Sequence, residues 1–129
     1  MVRTPRVFLD THVVVWLVGG QAEKLGDEAR ALIDGADLVI SPAVVLELQY
    51  LYEIGRVSAP ALTALSILQQ ALDVRVAQDS FEHVVIAALG EDWTRDPFDR
   101  LIVAHARVLG APLISRDRRL AERYPDTRW

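Results

Sequence analysis

Four carboxylates carry the chemistry that this sequence suggests: Asp10, Glu47, Asp99 and Asp117. Asp10 ends the apolar run Arg6-Val7-Phe8-Leu9. Glu47 interrupts Val44-Val45-Leu46-Glu47-Leu48, a stretch apolar on nearly every side. A charge there must reach solvent or a partner, because burying it unpaired is expensive. Asp99 closes Asp96-Pro97-Phe98-Asp99 and is expected to point inward from the first turn of a helix, while Asp117 follows Ser115-Arg116. Carboxylate oxygens suit Mg²⁺ or Mn²⁺. Two such ions about 3.5–4 Å apart can activate a water and stabilise the leaving oxygen of a phosphodiester. A cation also removes the repulsion that carboxylates suffer at close quarters. The residues alone therefore point to phosphodiester hydrolysis with one or two divalent ions.

Each acid has a plainer reading. Asp10 and Asp117 are also placed to cap helices, and Glu47 to sit at a solvent edge. Asp96 is a good N-cap, with Asp99 favoured three residues on by the helix dipole; Asp96 is therefore a secondary candidate. So are Ser115, able to hydrogen-bond a carboxylate or phosphate, and Arg116, which with Arg95 or Arg100 is placed to steady a phosphate. His12, His83 and His105 show no metal-binding spacing, and His12 reads as a partly exposed structural residue beside Asp10. There is no Gly-rich phosphate loop, no nucleophile elbow and no cysteine. The nine aromatic residues are scattered, and no base-stacking platform is visible.

The elements that must position these acids alternate. Strands are expected at Arg6 to Asp10, Asp37 to Ile40, Val74 to Ala77 and Leu113 to Ser115, with a marginal fifth at Thr127 to Trp129. Helices are expected from His12 to Leu17 with Thr11 as N-cap, from Glu23 to Ile33, and from Pro42 to about Ile54 after Ser41. Further helices are expected from Ala59 to Ala71, from Ser80 to Leu89, from Pro97 to Leu109 and near Arg118 to Arg123. Short apolar strands between helices imply an α/β fold, a central parallel sheet of four to five strands covered on both faces. Right-handed crossovers align the carboxyl ends of those strands on one edge, where ligands of open α/β sheets gather. Asp10 and Asp117, far apart in sequence, then meet on one rim.

A chain of 129 residues, 51% hydrophobic and 25% charged, suits a single domain over residues 1–129 with a real core. No apolar run approaches the roughly 18 to 20 residues of a membrane span. The opening Met1-Val2-Arg3-Thr4-Pro5-Arg6 lacks a leader pattern. A cytoplasmic protein that makes no use of a membrane is expected. The net charge of −4 hides an asymmetry: residues 95–129 hold eight arginines against five acids, and the first 94 residues six basic groups against thirteen acids. A basic end on an acidic body can still attract phosphate. Tyr50, Leu51, Tyr52 and Ile54, with Leu62, Leu65, Ile67 and Leu68, are either core or a surface for a partner.

In order and spacing, Phe8-Leu9-Asp10-Thr11-His12, Ser41-Pro42 with Glu47-Leu48, Arg95-Asp96-Pro97-Phe98-Asp99-Arg100-Leu101-Ile102-Val103-Ala104 and Leu113-Ile114-Ser115-Arg116-Asp117 resemble the PIN-domain proteins. Among these the resemblance is to the VapC-type toxins of bacterial toxin–antitoxin pairs. It implies a PIN-like three-layer α/β/α domain and an endoribonuclease using Mg²⁺ or Mn²⁺, with acids matching Asp10, Glu47, Asp99 and Asp117 at the metal. An RNA substrate, a cognate antitoxin and a homodimer are implied with it. Thr94 stands where a histidine is often found, and His105 where a glutamine is frequent. Two alternatives come from other classes. One is a signalling receiver domain, for which the single lysine, Lys24, is badly placed. The other is a PIN domain that binds RNA or protein without catalysis, against which all four acids stand.

Overall fold

Residues 5–129 are described by the computed structural model; the leader reading of Met1 to Thr4 lies outside them. The first strand, β1 (Arg6–Leu9), is apolar beyond its first residue, and Val7, Phe8 and Leu9 are fully buried. A strand buried on both faces cannot be an edge, and β1 is the middle of the sheet. Its neighbours are β2 (Asp37–Ile40) and β4 (Leu113–Ile114), with β3 (Arg75–Val76) and β5 (Thr127–Arg128) outside them. The order is β3-β2-β1-β4-β5 and every pairing is parallel. The register places Phe8 beside Val39 and Leu113.

Seven α-helices flank this sheet among the described residues: α1 (Thr11–Val18), α2 (Asp27–Gly35), α3 (Pro42–Glu53), α4 (Ala61–Leu72), α5 (Phe81–Ala88), α6 (Pro97–Leu109) and α7 (Arg118–Arg123). The expected α/β architecture with a central parallel sheet is the one found. Helices α1, α3 and α4 pack on one another, and α5 packs on α6. From β1 the chain steps outward to β2 and β3, then returns across the sheet to β4 and β5 on the other side. The reversal falls between β1 and β4, the place where α/β sheets open a crevice at their carboxyl edge. None of the helices among the described residues is long and apolar enough to cross a membrane.

Several boundaries differ from the sequence expectation. The helix expected over Glu23 to Ile33 is broken: a 3₁₀ turn spans Ala22–Lys24, and α2 starts only at Asp27 behind Gly26. Gly26 lies so close to Trp129 that an added Cβ would stand 2.6 Å from a Trp129 backbone carbon. That close approach is invisible to periodicity. The third strand is pairing-competent at only two residues, and the fifth ends at Arg128, before Trp129. Asp10, expected to finish β1, instead caps α1: its side chain accepts from the Thr11 N–H, so Thr11 is the first helical residue, not the cap.

Beneath the sheet, His105 on α6 is buried against the Phe8 ring at 4.9 Å, and its Nε2 meets Asp79 Oδ2 at 3.0 Å. Arg6 reaches the same carboxylate oxygen at 3.2 Å. Burial pushes the Asp79 carboxyl up, but the hydrogen bonds from His105 and Arg6 outweigh it and hold the group below its ordinary value. Stability contributed by a depressed carboxylate is present above the unfolded value, 3.8, and is lost as pH falls through the folded value. The Asp79→Ala variant should lose about 1–3 kcal/mol in urea denaturation at pH 7, because His105 then has no partner on either nitrogen. As pH falls below the ordinary carboxylate value the gap to the parent should narrow, which a pH series of melts would detect.

Candidate metal centre

The four acids reach one cleft by four local devices. Asp10 is held at the end of β1, its Oδ1 on the Thr11 N–H at 2.8 Å and its Oδ2 on the Ser115 hydroxyl at 2.6 Å. Glu47 is carried inward by α3, and the Thr11 hydroxyl donates to its Oε1. Ser41 starts that helix by accepting from the Ala43 N–H, with Pro42 at the first position. Asp96 caps α6 through the N–H groups of Phe98 and Asp99, setting Asp99 in the first turn. Asp117 caps α7 by accepting from the Leu120 N–H at 3.1 Å. Asp10, Glu47, Asp99 and Asp117 all line the same cleft of about 310 Å³, together with Thr11 and His12.

Electrostatics set Asp99 apart. Burial, then the charges of Asp96, Asp10, Glu47 and Asp117, raise its carboxyl from 3.8 to about 7. Glu47 is raised too, first by burial and then by Asp10 and Asp96, against the lowering effect of the Thr11 hydroxyl. Four carboxylates gathered in this way are a cation's counter-charge.

The donor set is oxygen-only and fits a hard divalent ion. It is not a finished cage, since among the described residues no three acidic or imidazole groups stand at metal-binding separation. Three of the four rest on protein donors: Asp10 on Ser115, Glu47 on Thr11, Asp117 on Leu120. An ion such as Mg²⁺, which keeps several waters and takes one or two carboxylates, is suited to an open set.

Around the acids, the secondary candidates separate. Ser115 is buried and bridges: its hydroxyl donates to Asp10 and accepts from the Asp117 N–H at 3.1 Å, so one side chain orients two candidate ligands. Asp96 is exposed and occupied as a cap. Arg116 is exposed beside the cleft. Arg100 and Arg95, the other phosphate candidates, turn back on their own loop, where Arg100 Nε donates to the Thr94 carbonyl at 2.8 Å and Arg95 to the Asp92 carbonyl at 3.1 Å. Thr94 supports the same loop by accepting from the Asp96 N–H.

Two neighbours carry more than their residue types suggest. Thr11, by sequence a cap candidate, ties Asp10 to Glu47. His12 lies 3.5 Å from Asp10 Oδ2 through Nδ1, while its Nε2 accepts from the Arg116 N–H at 3.0 Å. The Asp-Thr-His run holds the signal, since three consecutive polar groups after a buried strand all face the crevice. Nor are the aromatics scattered in space: His12, Trp16 and Trp129 form a cluster, with ring centroids 5.1, 6.3 and 5.8 Å apart.

The apolar group on α3 and α4 divides. Leu68 is buried, Leu51 and Leu65 are half-buried, and Tyr50, Tyr52, Ile54, Leu62 and Ile67 are exposed. A second exposed apolar set, Phe81, Val85, Ile86 and Leu89, lies on α5 and just past its end.

Known proteins share this fold. Residues 7–125 match the PIN domain family. The chain is 36% identical over 123 residues to Ribonuclease VapC22 of Mycobacterium tuberculosis, an alignment covering 92% of this chain and 93% of that protein. Its fold is similar to VapBC2 from Rickettsia felis, solved with a DNA fragment from its promoter, at TM-score 0.65, 18% identity and 95% of both chains. It is also similar to a toxin–antitoxin complex from Klebsiella pneumoniae, at TM-score 0.67, 16% identity, and 95% and 96% of the two chains. These matches leave no room for the receiver-domain alternative. With strand order, crevice and acids in place, the chain belongs to the PIN-domain family.

Proposed function

We infer that the chain is an endoribonuclease toxin of the VapC type, hydrolysing RNA phosphodiester bonds with Mg²⁺ or Mn²⁺ as one nuclease domain over residues 1–129 in the cytoplasm. The observation that carries the site is Asp99: half-buried, and raised to about 7 by burial and four neighbouring carboxylates. Such crowding stabilises nothing by itself and is relieved by a divalent ion. The kinship to Ribonuclease VapC22 supplies the reaction class.

Asp10 and Asp99 would hold the main ion, and Glu47 and Asp117 would complete its shell or orient the attacking water. A bound cation would lower the pKa of the water it holds and supply a counter-charge for the leaving oxygen. The protein supplies orientation. Ser115 and the Thr11 N–H fix both oxygens of Asp10, and the Thr11 hydroxyl fixes Glu47. Loss of such supporting hydrogen bonds costs about 10–100-fold in metal affinity or activity. For protein partners, the exposed apolar side chains on α3, α4 and α5 support an antitoxin and a second copy of the chain, because a monomer in water gains nothing from Leu62 at 75% or Leu89 at 69% exposure.

The test is cleavage of total cellular RNA by the purified protein. Discrete fragments are expected with Mg²⁺ or Mn²⁺, their loss in excess EDTA, and their return on adding back the metal. Cleavage indifferent to EDTA would exclude the metal reading. Metal binding by calorimetry without cleavage of any RNA would favour a PIN domain that binds without catalysis.

A further inference from the structure

A second cleft, of about 760 Å³, opens beside the carboxylates and shares His12 and Asp117 with them. Trp16, Trp129, Arg116 and Arg118 form much of its wall. We propose that it is a nucleotide subsite, holding the base next to the scissile phosphate against Trp16 and Trp129 and the adjoining phosphate on Arg116 and Arg118. The proposal rests on the RNA reading above and adds to it where the strand lies.

Three observations carry it. First, the rings meet edge-on or tilted rather than stacked flat, with the Lys24 ammonium over the Trp16 ring at 5.7 Å. The interplanar angles are 65° for His12 with Trp16, 57° for His12 with Trp129 and 58° for Trp16 with Trp129, so no ring lies stacked on its neighbour's face. Both tryptophans are half-buried, held by the core yet open on the cleft side. Aromatic surface of this kind takes any nucleobase, since every base has a π-face.

Second, the arginines of this wall differ. Arg128 is committed to Asp126 and Glu28, at 2.7 and 3.0 Å. The guanidinium groups of Arg116 and Arg118 make no hydrogen bond or ion pair among the described residues, and the two side chains border the open cleft. Uncommitted guanidinium groups suit a phosphate, which they bind bidentately. On a chain of net charge −4 this local positive wall is where a polyanion can approach the acids.

Third, the two clefts are mechanically joined. His12 lines both, with Nδ1 toward Asp10 and Nε2 accepting from the Arg116 backbone. A strand whose base sits on the tryptophans therefore presents its neighbouring phosphodiester to the acids, a positioning effect that binding energy away from the bond can supply.

The test uses the Asp99→Asn protein in Mg²⁺, so that RNA stays intact, and the anisotropy of a fluorescein-labelled six-nucleotide single-stranded RNA. Trp129→Leu should weaken binding about tenfold, as expected for loss of one stacking platform, and Trp129→Phe should recover most of it. Arg116→Gln with Arg118→Gln, which breaks no contact within the fold, should weaken binding and lower the salt slope by about 0.7 per arginine removed. Adenosine 5′-monophosphate should displace the RNA at concentrations where ribose 5-phosphate does not. Tight binding unchanged in both the Trp129→Leu and the double arginine proteins would overturn the subsite, as would equal competition by ribose 5-phosphate. If the wild type cleaves RNA while these variants bind as the parent does, the subsite fails and the nuclease reading stands. If the wild type neither binds nor cleaves RNA, both fall.

Discussion

Replacing Asp99 by asparagine should lower RNA cleavage by at least about a hundredfold and, in metal-free solution at pH 8, raise the melting temperature. The two effects have one cause. In the cleft the Asp99 carboxyl is raised from 3.8 to about 7 by burial and by Asp96, Asp10, Glu47 and Asp117, so its ionised form is the unfavourable one in the folded protein. A group whose folded value is raised contributes stability that is full below the unfolded value and lost as pH rises through the folded value. The metal-free protein should therefore weaken between about pH 4 and pH 7. Asp99 is only partly buried, and solvent screening trims the effect to about 1 kcal/mol. Asparagine keeps the volume, removes the charge and flattens that slope. On the proposed reading it also removes a ligand, and with it the cation's contribution to the reaction. Melts in EDTA across pH 4 to 8, set beside cleavage rates in Mg²⁺, decide the matter. A parent whose melting temperature is flat over that range, or a variant that still cleaves, would refute the assignment.

Phe8→Ala should cost about 3–5 kcal/mol, a large part of the roughly 5–15 kcal/mol that keeps a domain folded. Phe8 is fully buried on the middle strand, in register with Val39 and Leu113, and its ring rests on His105. Removing it opens a cavity that neither the sheet nor α6 can collapse into, because both are pinned by hydrogen bonds. Leu46→Ala is the contrast. Leu46 is 64% exposed on α3, so its loss should change stability by no more than about 0.5 kcal/mol. Urea midpoints for the two variants measure the difference; equal costs would mean that the sheet is not the core. Cleavage by Phe8→Ala should fall with its folded fraction, since β1 delivers Asp10 to the cleft.

Much of the fold is legible in the sequence, for local reasons. Ser41-Pro42, Ser80 and Asp96-Pro97 start α3, α5 and α6 where a cap followed by a compatible first residue must start a helix. Gly110, at φ +60°, stops α6 where a left-handed residue is needed. Short apolar strands between those helices imply the parallel sheet, and that sheet implies a shared rim. Where neighbours compete, the sequence is ambiguous. Asp10 and Thr11 can each cap α1; Asp10 does so because the Thr11 hydroxyl is drawn away to Glu47, a residue on another helix. Leu46 and Glu47 are ambiguous in the same way, an apolar residue suited to the inside and an acid suited to the outside. In the fold Glu47 faces the cleft and Leu46 faces water.

The sequence by itself determined the kinds of groups and the local segments that carry them: four acids, their caps, and strands short and apolar enough to be buried. Those depend on residues within a turn or two of one another, where side-chain chemistry and backbone preference act directly. Beyond the shared rim of Asp10 and Asp117, only the tertiary structure decided which groups meet. Ser115 reaches Asp10 across 105 residues, Trp129 comes to lie against Trp16 and Gly26, and Asp99 gathers four charges from three other elements and its own cap. The physical reason is that crossovers and packing set those encounters. A carboxyl's affinity for its proton, or a ring's free face, belongs to the encounter and not to the residue.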